Sequence, residues 1–150
     1  VYQGYSIQVY VEIVNYGLFA ATFNVTVYAN STVVDTLRSI NLTSRNSTTL
    51  SVTWNTKGWA LNGYTITAYA TPAKGETDTT DNTLSDGSVV VRIPGDVNGD
   101  FFVNITDATQ IGLYWMQTVP PAPANVDVNG DGFVTIKDAT MVGINWQKHA

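Results

Sequence analysis

The feature that most limits what this 150-residue chain can fold into is an internal repeat. Residues 95–115 and 126–146, offset by 31 positions, read GDVNGDFFVNITDATQIGLYW and VDVNGDGFVTIKDATMVGINW, with thirteen identities in twenty-one positions. Each copy carries the pattern Asp-x-Asn-x-Asp-x-x-x-x-x-x-Asp, once as Asp96, Asn98, Asp100 and Asp107 and again as Asp127, Asn129, Asp131 and Asp138. Residues 95–150 hold six Asp, no Glu and two Lys, and all six Asp fall inside these two twelve-residue segments. Residues 1–94 instead scatter six acidic and five basic side chains along their length. Pro94-Gly95 is a turn or linker signal at the change of pattern, so the sequence divides into 1–94 and 95–150.

Oxygen-bearing side chains at loop positions 1, 3, 5 and 12 are the arrangement of an EF-hand-type calcium loop. Calcium is a hard cation that takes about 6–8 oxygens at roughly 2.3–2.6 Å. The spacing predicts ligation by Asp96, Asn98, Asp100, the carbonyl of Phe102 and Asp107, with Asn104 at position 9 ligating directly or through water. The second set is Asp127, Asn129, Asp131, the carbonyl of Phe133 and Asp138, with Thr135 at position 9. Three aspartates converging in each loop repel one another once desolvated, and a divalent cation reverses the sign of that interaction. Two calcium ions are therefore expected. A segment this short is near the lower limit for an independent core, so bound metal is expected to contribute much of its folding free energy.

Helices are predicted over 107–118 and 138–149, each with an apolar stripe: Ala108, Ile111 and Trp115 in one, Ala139, Val142 and Trp146 in the other. Pro120, Pro121 and Pro123 follow the first. Gly112 and Gly143 occupy matched positions and point either to close helix approach or to a flat surface for a partner. Phe101 stands at loop position 6, where the second copy has Gly132 and the loop needs a sharp turn. The first site is therefore expected to be strained and to bind calcium more weakly.

Residues 1–94 have a period of two. Ile7, Val9, Val11 and Ile13 alternate with Ser6, Gln8, Tyr10 and Glu12; Phe23, Val25, Val27 and Ala29 with Thr22, Asn24, Thr26 and Tyr28; Leu50, Val52 and Trp54 with Thr49, Ser51 and Thr53. Tyr64, Ile66, Ala68 and Ala70 form a further strand, Val89, Val91 and Ile93 the last, with weaker strands over 32–37 and 39–42. Six or seven short strands between Gly, Asn and Ser turns indicate an antiparallel sandwich.

The string GYTITAYATPAKGETDTTDN, following a strand that ends in Trp54, resembles the cell-adhesion-related Ig-like (CARDB) domain of prokaryotic, including archaeal, surface proteins. The resemblance covers about residues 1–93 and implies an Ig-like β-sandwich. That family has a further strand before the position where this chain starts, so the strand over 5–15 is expected to present an open edge, covered by a preceding segment of a longer parent or by a strand from a neighbouring chain. The duplicated loop, with Asp at position 12 and no amphipathic helix before either copy, resembles type I dockerins over residues 95–149. That resemblance implies tandem calcium loop-helix halves and a protein partner of cohesin type. In clostridial dockerins, positions 10 and 11 help select the cohesin, usually through small hydroxyls. Here those pairs are Ile105-Thr106 and Ile136-Lys137.

Several functions are disfavoured. With net charge −5, the chain lacks the basic stripe that nucleic acid requires, and no apolar run approaches a membrane span of about 20 residues. No Cys and a single penultimate His leave no recognisable nucleophile arrangement, so catalysis is not expected. The absence of Met at position 1 is read as processing or excision from a longer protein. Asn-x-Ser/Thr sequons at Asn24, Asn30, Asn41 and Asn46 are glycan candidates, whereas Asn104 is assigned to calcium. Tyr28 and Tyr69 are expected as a cross-strand pair, with sugar binding the sharper alternative. Glu76, Asp78 and Asp81 are expected to form a solvated turn. Together these features predict a non-catalytic extracellular or cell-surface protein of mostly β structure with a small α module. It would dock through its calcium loops to a cohesin-like receptor or to another copy of itself, head to tail, as in a filament or array. The alternative is a stalk or carbohydrate-binding module with purely structural calcium.

Overall fold

The computed structural model describes all 150 residues. They form two compact units that do not follow chain order. One gathers Val1–Tyr5, Thr56–Asn62 and Val90–Ala150, and the other Ser6–Asn55 and Gly63–Val89.

The second unit is an antiparallel sandwich. Its strands are β1 (Ser6–Val14), β2 (Ala21–Ala29), β3 (Thr32–Leu42), β4 (Ser47–Asn55), β5 (Asn62–Ala70) and β6 (Thr83–Val91). β1 pairs with β4 in one sheet, and the other runs β3-β2-β5-β6. Val11, Phe23, Val25, Val27, Leu42 and Val52 form the core between them. These are the apolar sides of the period-two runs, and removing them from water is what holds the sheets face to face. Trp54 packs edge-on against Tyr64, with ring centroids 5.5 Å apart.

Two strand expectations are corrected. The weak strands over 32–37 and 39–42 are one strand, β3, interrupted by a bulge at Ser39, which sits at φ 55°. The Asn24 side-chain oxygen accepts the Ser39 N–H at 2.9 Å, replacing the ladder bond that the bulge removes. β6 begins at Thr83 rather than Val89, and Ile93 lies beyond it, buried in the core of the first unit. The turn with Glu76, Asp78 and Asp81 is a local network. Glu76 accepts from the Ala73 N–H at 2.7 Å, and Asp78 from the Thr80 hydroxyl at 2.6 Å, which holds the Asp78 carboxyl below its ordinary value.

The first unit contains two short helices, α1 (Ile105–Leu113) and α2 (Ile136–Ile144). Both begin two residues earlier and end five earlier than expected. The start is set by a capping box: Asn104 and Thr135 are the N-caps, and Asp107 and Asp138 accept the cap N–H groups. Past each helix, Met116 (φ 62°) and Gln147 (φ 60°) reverse the chain. Residues 116–118 then bond to the second loop, through Met116 N to Val134 O and Val134 N to Gln117 O, both 2.9 Å. Residues 147–149 bond to the first, through Gln147 N to Val103 O at 2.8 Å and Val103 N to Lys148 O at 3.0 Å. Each loop is thus tied to the segment following the other helix. Matched apolar positions of the repeat fill the core: Val97 with Val128, Val103 with Val134, and Ile111 with Val142. The expected burial of Trp115 and Trp146 is corrected, because both lie past the helix ends and are 43% and 44% exposed.

Candidate metal centre

The repeat builds both loops with the same side-chain-to-backbone bonds. At position 1, Asp96 accepts from Gly99 N at 2.8 Å and Phe101 N at 3.2 Å, while Asp127 accepts from Gly130 N and Gly132 N, both at 2.8 Å. At position 3, Asn98 accepts from Asp100 N at 2.9 Å and Asn129 from Asp131 N at 2.8 Å. At position 5, Asp100 and Asp131 accept from Phe102 N at 2.8 Å and Phe133 N at 3.2 Å. Asx bonds of this kind bend the chain around its own carboxylates.

Position 12 closes the ring. Asp107 accepts from Val97 N at 2.8 Å and Asn98 N at 3.1 Å with one oxygen, and from Asn104 N at 2.9 Å with the other. Asp138 likewise accepts from Asn129 N at 3.1 Å and Thr135 N at 2.8 Å. One carboxylate therefore caps a helix and ties the loop's start to its end. Hydrogen bonds thereby join positions 3, 5, 9 and 12 of the first loop, and positions 1, 3, 5, 9 and 12 of the second, where Asp127 also accepts from Asp131 N at 3.1 Å; Asn104 and Thr135 serve first as helix caps. The main chain at Phe102 and Phe133 belongs to the same turns.

Asp96, Asp107 and Asp138 are fully buried, and Asp127 nearly so. Burial pushes the Asp96 carboxyl above its ordinary value, and the charge of Asp107 adds to that shift. Amide hydrogen bonds from Gly99 and Phe101 and the charge of Arg92 oppose it. The Arg92 guanidinium lies against the first loop, where a Cβ added to Gly99 would meet its central carbon at 2.8 Å. Lys137, in the second loop, pairs with Asp131 at 2.8 Å, and that bond lowers the Asp131 carboxyl and raises the Lys137 amine. No three His, Cys, Asp or Glu side chains gather closely enough to hold an ion by themselves. The loops' donor sets also draw on Asn and main-chain carbonyl oxygen. Every donor is oxygen, and a carboxylate offers about four lone-pair sites, so one accepting amide bonds retains capacity for a hard cation. The residues fit calcium.

Phe101 adopts the left-handed backbone expected of it, at φ 65°, where Gly132 stands at φ 86°. At Gly112 and Gly143 an added Cβ would meet nothing within 4 Å, so of the two readings of these glycines, close helix approach is not observed. The surface around them is apolar and repeated: Ile105 with Ile136, Leu113 with Ile144, and Trp115 with Trp146 are all exposed. Leu113 and Ile144 were not singled out from the sequence, although their identical place in each copy was the available signal.

Comparison with known proteins bears on both modules. Residues 94–143 match the Dockerin type I domain family, whose members bind calcium and imply a protein partner of cohesin type. Residues 1–86 match the CARDB family, more than half of the chain. The chain belongs to the CARDB family. A domain assigned to a cell surface protein of Methanosarcina acetivorans, solved by solution NMR, is 36% identical to this CARDB chain over 53% of its length and 71% of the domain, with a TM-score of 0.44. No curated protein matches it. CARDB and dockerin modules serve protein interaction at the cell exterior, and no helix of this chain is long and apolar enough to cross a membrane.

The remaining candidates lie on the sandwich. Asn30, Asn41 and Asn46 are exposed, whereas Asn24 is half-buried and committed to the β3 bulge. Tyr28 and Tyr69 stand on neighbouring strands as expected, but diagonally: Thr26 pairs with Tyr69, and Tyr28 with Thr67.

Proposed function

We propose that this CARDB protein is a non-catalytic extracellular attachment protein whose functional modules are residues 1–94 and 95–150. Its duplicated loops bind two calcium ions and so order a docking surface for another protein. The ligands of the first ion are Asp96, Asn98, Asp100, the Phe102 carbonyl, Asn104 and Asp107, and those of the second are Asp127, Asn129, Asp131, the Phe133 carbonyl, Thr135 and Asp138. When bound, calcium supplies the positive charge that offsets three carboxylates in each loop. The chain's own amides then hold those carboxylates in place.

The observation that carries this reading is the coincidence of two repeats. The residues that shape the loops recur at an offset of 31, and so do the exposed apolar residues beside them, Ile105 with Ile136 and Trp115 with Trp146. Apolar side chains left exposed on a small rigid module favour a partner surface over a purely structural staple. Glycans at Asn30, Asn41 or Asn46 would sit on the solvated side of the sandwich. The partner is a cohesin-like domain or another copy of the chain joined head to tail. Calcium-dependent capture of a cohesin-type domain, abolished by EGTA, tests the first. Size exclusion and electron microscopy with and without calcium test the second. A chain that stays monomeric and captures no cohesin-type domain in either condition contradicts the proposal.

A further inference from the structure

The two loops share their side-chain bonds but not their surroundings. Loop position 4 is glycine in both copies, with left-handed backbone at φ 79° in Gly99 and φ 74° in Gly130. A Cβ added to Gly130 would meet nothing within 4 Å. At Gly99 it would strike the Arg92 central carbon and one terminal nitrogen at 2.8 Å, and the other terminal nitrogen at 3.1 Å. The central carbon is as near as either nitrogen, so the planar guanidinium lies with its face, not its edge, against the glycine. Nothing of the kind recurs in the second copy, where Pro123 stands 31 residues after Arg92.

Arg92 is held in this place by its own backbone. Its carbonyl accepts from Gln3 N at 2.8 Å, and Val91 and Ile93 on either side of it are buried. The Nε is buried and meets no acceptor, and the guanidinium forms no ion pair with a carboxylate. A buried donor left unpaired is costly, so the fold imposes this placement on the side chain rather than a hydrogen bond attracting it. Its charge reaches the loop: burial raises the Asp96 carboxyl most, and Arg92 opposes that rise. The second loop also has a cation, but a movable one. Lys137 reaches Asp131 at 2.8 Å from a side chain that is 69% exposed, and it can turn to water at little cost when another cation takes that carboxylate. The first loop has Thr106 at the place of Lys137.

We propose that Arg92 is a built-in countercharge of the first loop, which partly offsets Asp96, Asp100 and Asp107 at all times and so sets calcium affinity there below that of the second loop. The inference rests on the reading that both loops bind calcium. Repulsion between the guanidinium and the incoming ion is distinct from the backbone strain at Phe101, because it scales with the charge of the ion and strain does not. The two loops then fill in order, the second before the first, over separate ranges of calcium concentration.

Titration of the full chain in chelator-buffered calcium, followed through the amide resonances of Gly99 and Gly130, reads the two loops separately. Arg92→Gln is expected to raise affinity at the first loop by about five- to fiftyfold, the effect of one unit charge on a divalent ion across a partly hydrated loop, and to leave the second unchanged. Arg92→Met keeps an apolar stem without the charge and is expected to do the same, which guards against a packing fault in either variant. Lanthanum, trivalent and close to calcium in size, should gain about one and a half times as much on a logarithmic scale, the ratio of the ionic charges. A rise in neither variant, an equal rise at the second loop, or a gain that is the same for both ions would overturn the proposal while leaving calcium binding itself intact. If neither glycine amide responds to calcium, the reading of the loops fails and this inference with it.

Discussion

Phe101 and Gly132 hold the same place in two nearly identical loops, and only one of them suits the backbone. At φ 65° a phenylalanine carries strain of about 1–2 kcal/mol that a glycine does not. Phe101→Gly is therefore expected to raise calcium affinity at the first loop by about three- to tenfold, towards that of the second, as read by isothermal calorimetry. Equal affinities in the unaltered chain would contradict this. Asp96 sets the pH response of the same loop. Its carboxyl is held above the ordinary 3.8 by burial and by Asp107, so protons compete with calcium from a higher pH than at a free aspartate. First-site affinity should fall as pH is lowered through that raised value, and an affinity that does not fall on acidification would refute it. In chelator the sign reverses. A carboxyl raised in the folded state adds stability that is fully present below its unfolded value and is lost as pH rises through its folded one.

At the level of elements, the close approach of Gly95 to α2 is the most demanding contact. Gly95 has φ 98°, and an added Cβ would lie 2.9 Å from the Val142 Cα and 3.0 Å from the Met141 carbonyl oxygen, both backbone atoms that cannot swing aside. Gly95→Ala is expected to cost about 2–5 kcal/mol, from strain together with overpacking, measured by chemical denaturation in calcium. Less than about 1 kcal/mol would mean the approach is looser than it looks. Elements also show what the sequence made legible. Strands with clean alternation, such as Ile7 to Ile13 and Leu50 to Trp54, were readable because one face is buried against the other sheet. β3 was not, because its bulge shifts the period midway and is held by Asn24, a residue from another strand. The helix starts were legible in principle, since Asn104 and Thr135 precede Asp107 and Asp138 by three residues in a capping-box pattern. The helix ends were not, because residues 116–118 and 147–149 are drawn out of helix by bonds to loops that are distant in sequence.

Across the whole molecule, the loops were recognisable because duplication repeats the signal, whereas the make-up of the compact units was not. Ile93 is buried in the core that the repeat builds, Tyr2 and Leu61 pack against it, and the Tyr2 hydroxyl donates to Asn125 O at 2.6 Å. Nothing in the period or composition of residues 1–5 or 56–62 announces that role. A fragment of residues 95–150 should consequently melt at least about 5 °C below the same module in the full chain, both in calcium, by circular dichroism. Equal melting temperatures would show these contacts to be dispensable.

The central claim is that calcium holds the duplicated loops together. Differential scanning calorimetry of the full chain, in excess calcium and then in EGTA, tests it most directly. Ions at about a hundred times their dissociation constants stabilise by about 2.7 kcal/mol per site, so chelation should lower the transition of the loop-helix module by more than about 10 °C, with loss of helical circular dichroism. The strand-rich unit should melt unchanged. Identical thermograms and identical helical signal in both conditions would contradict the account.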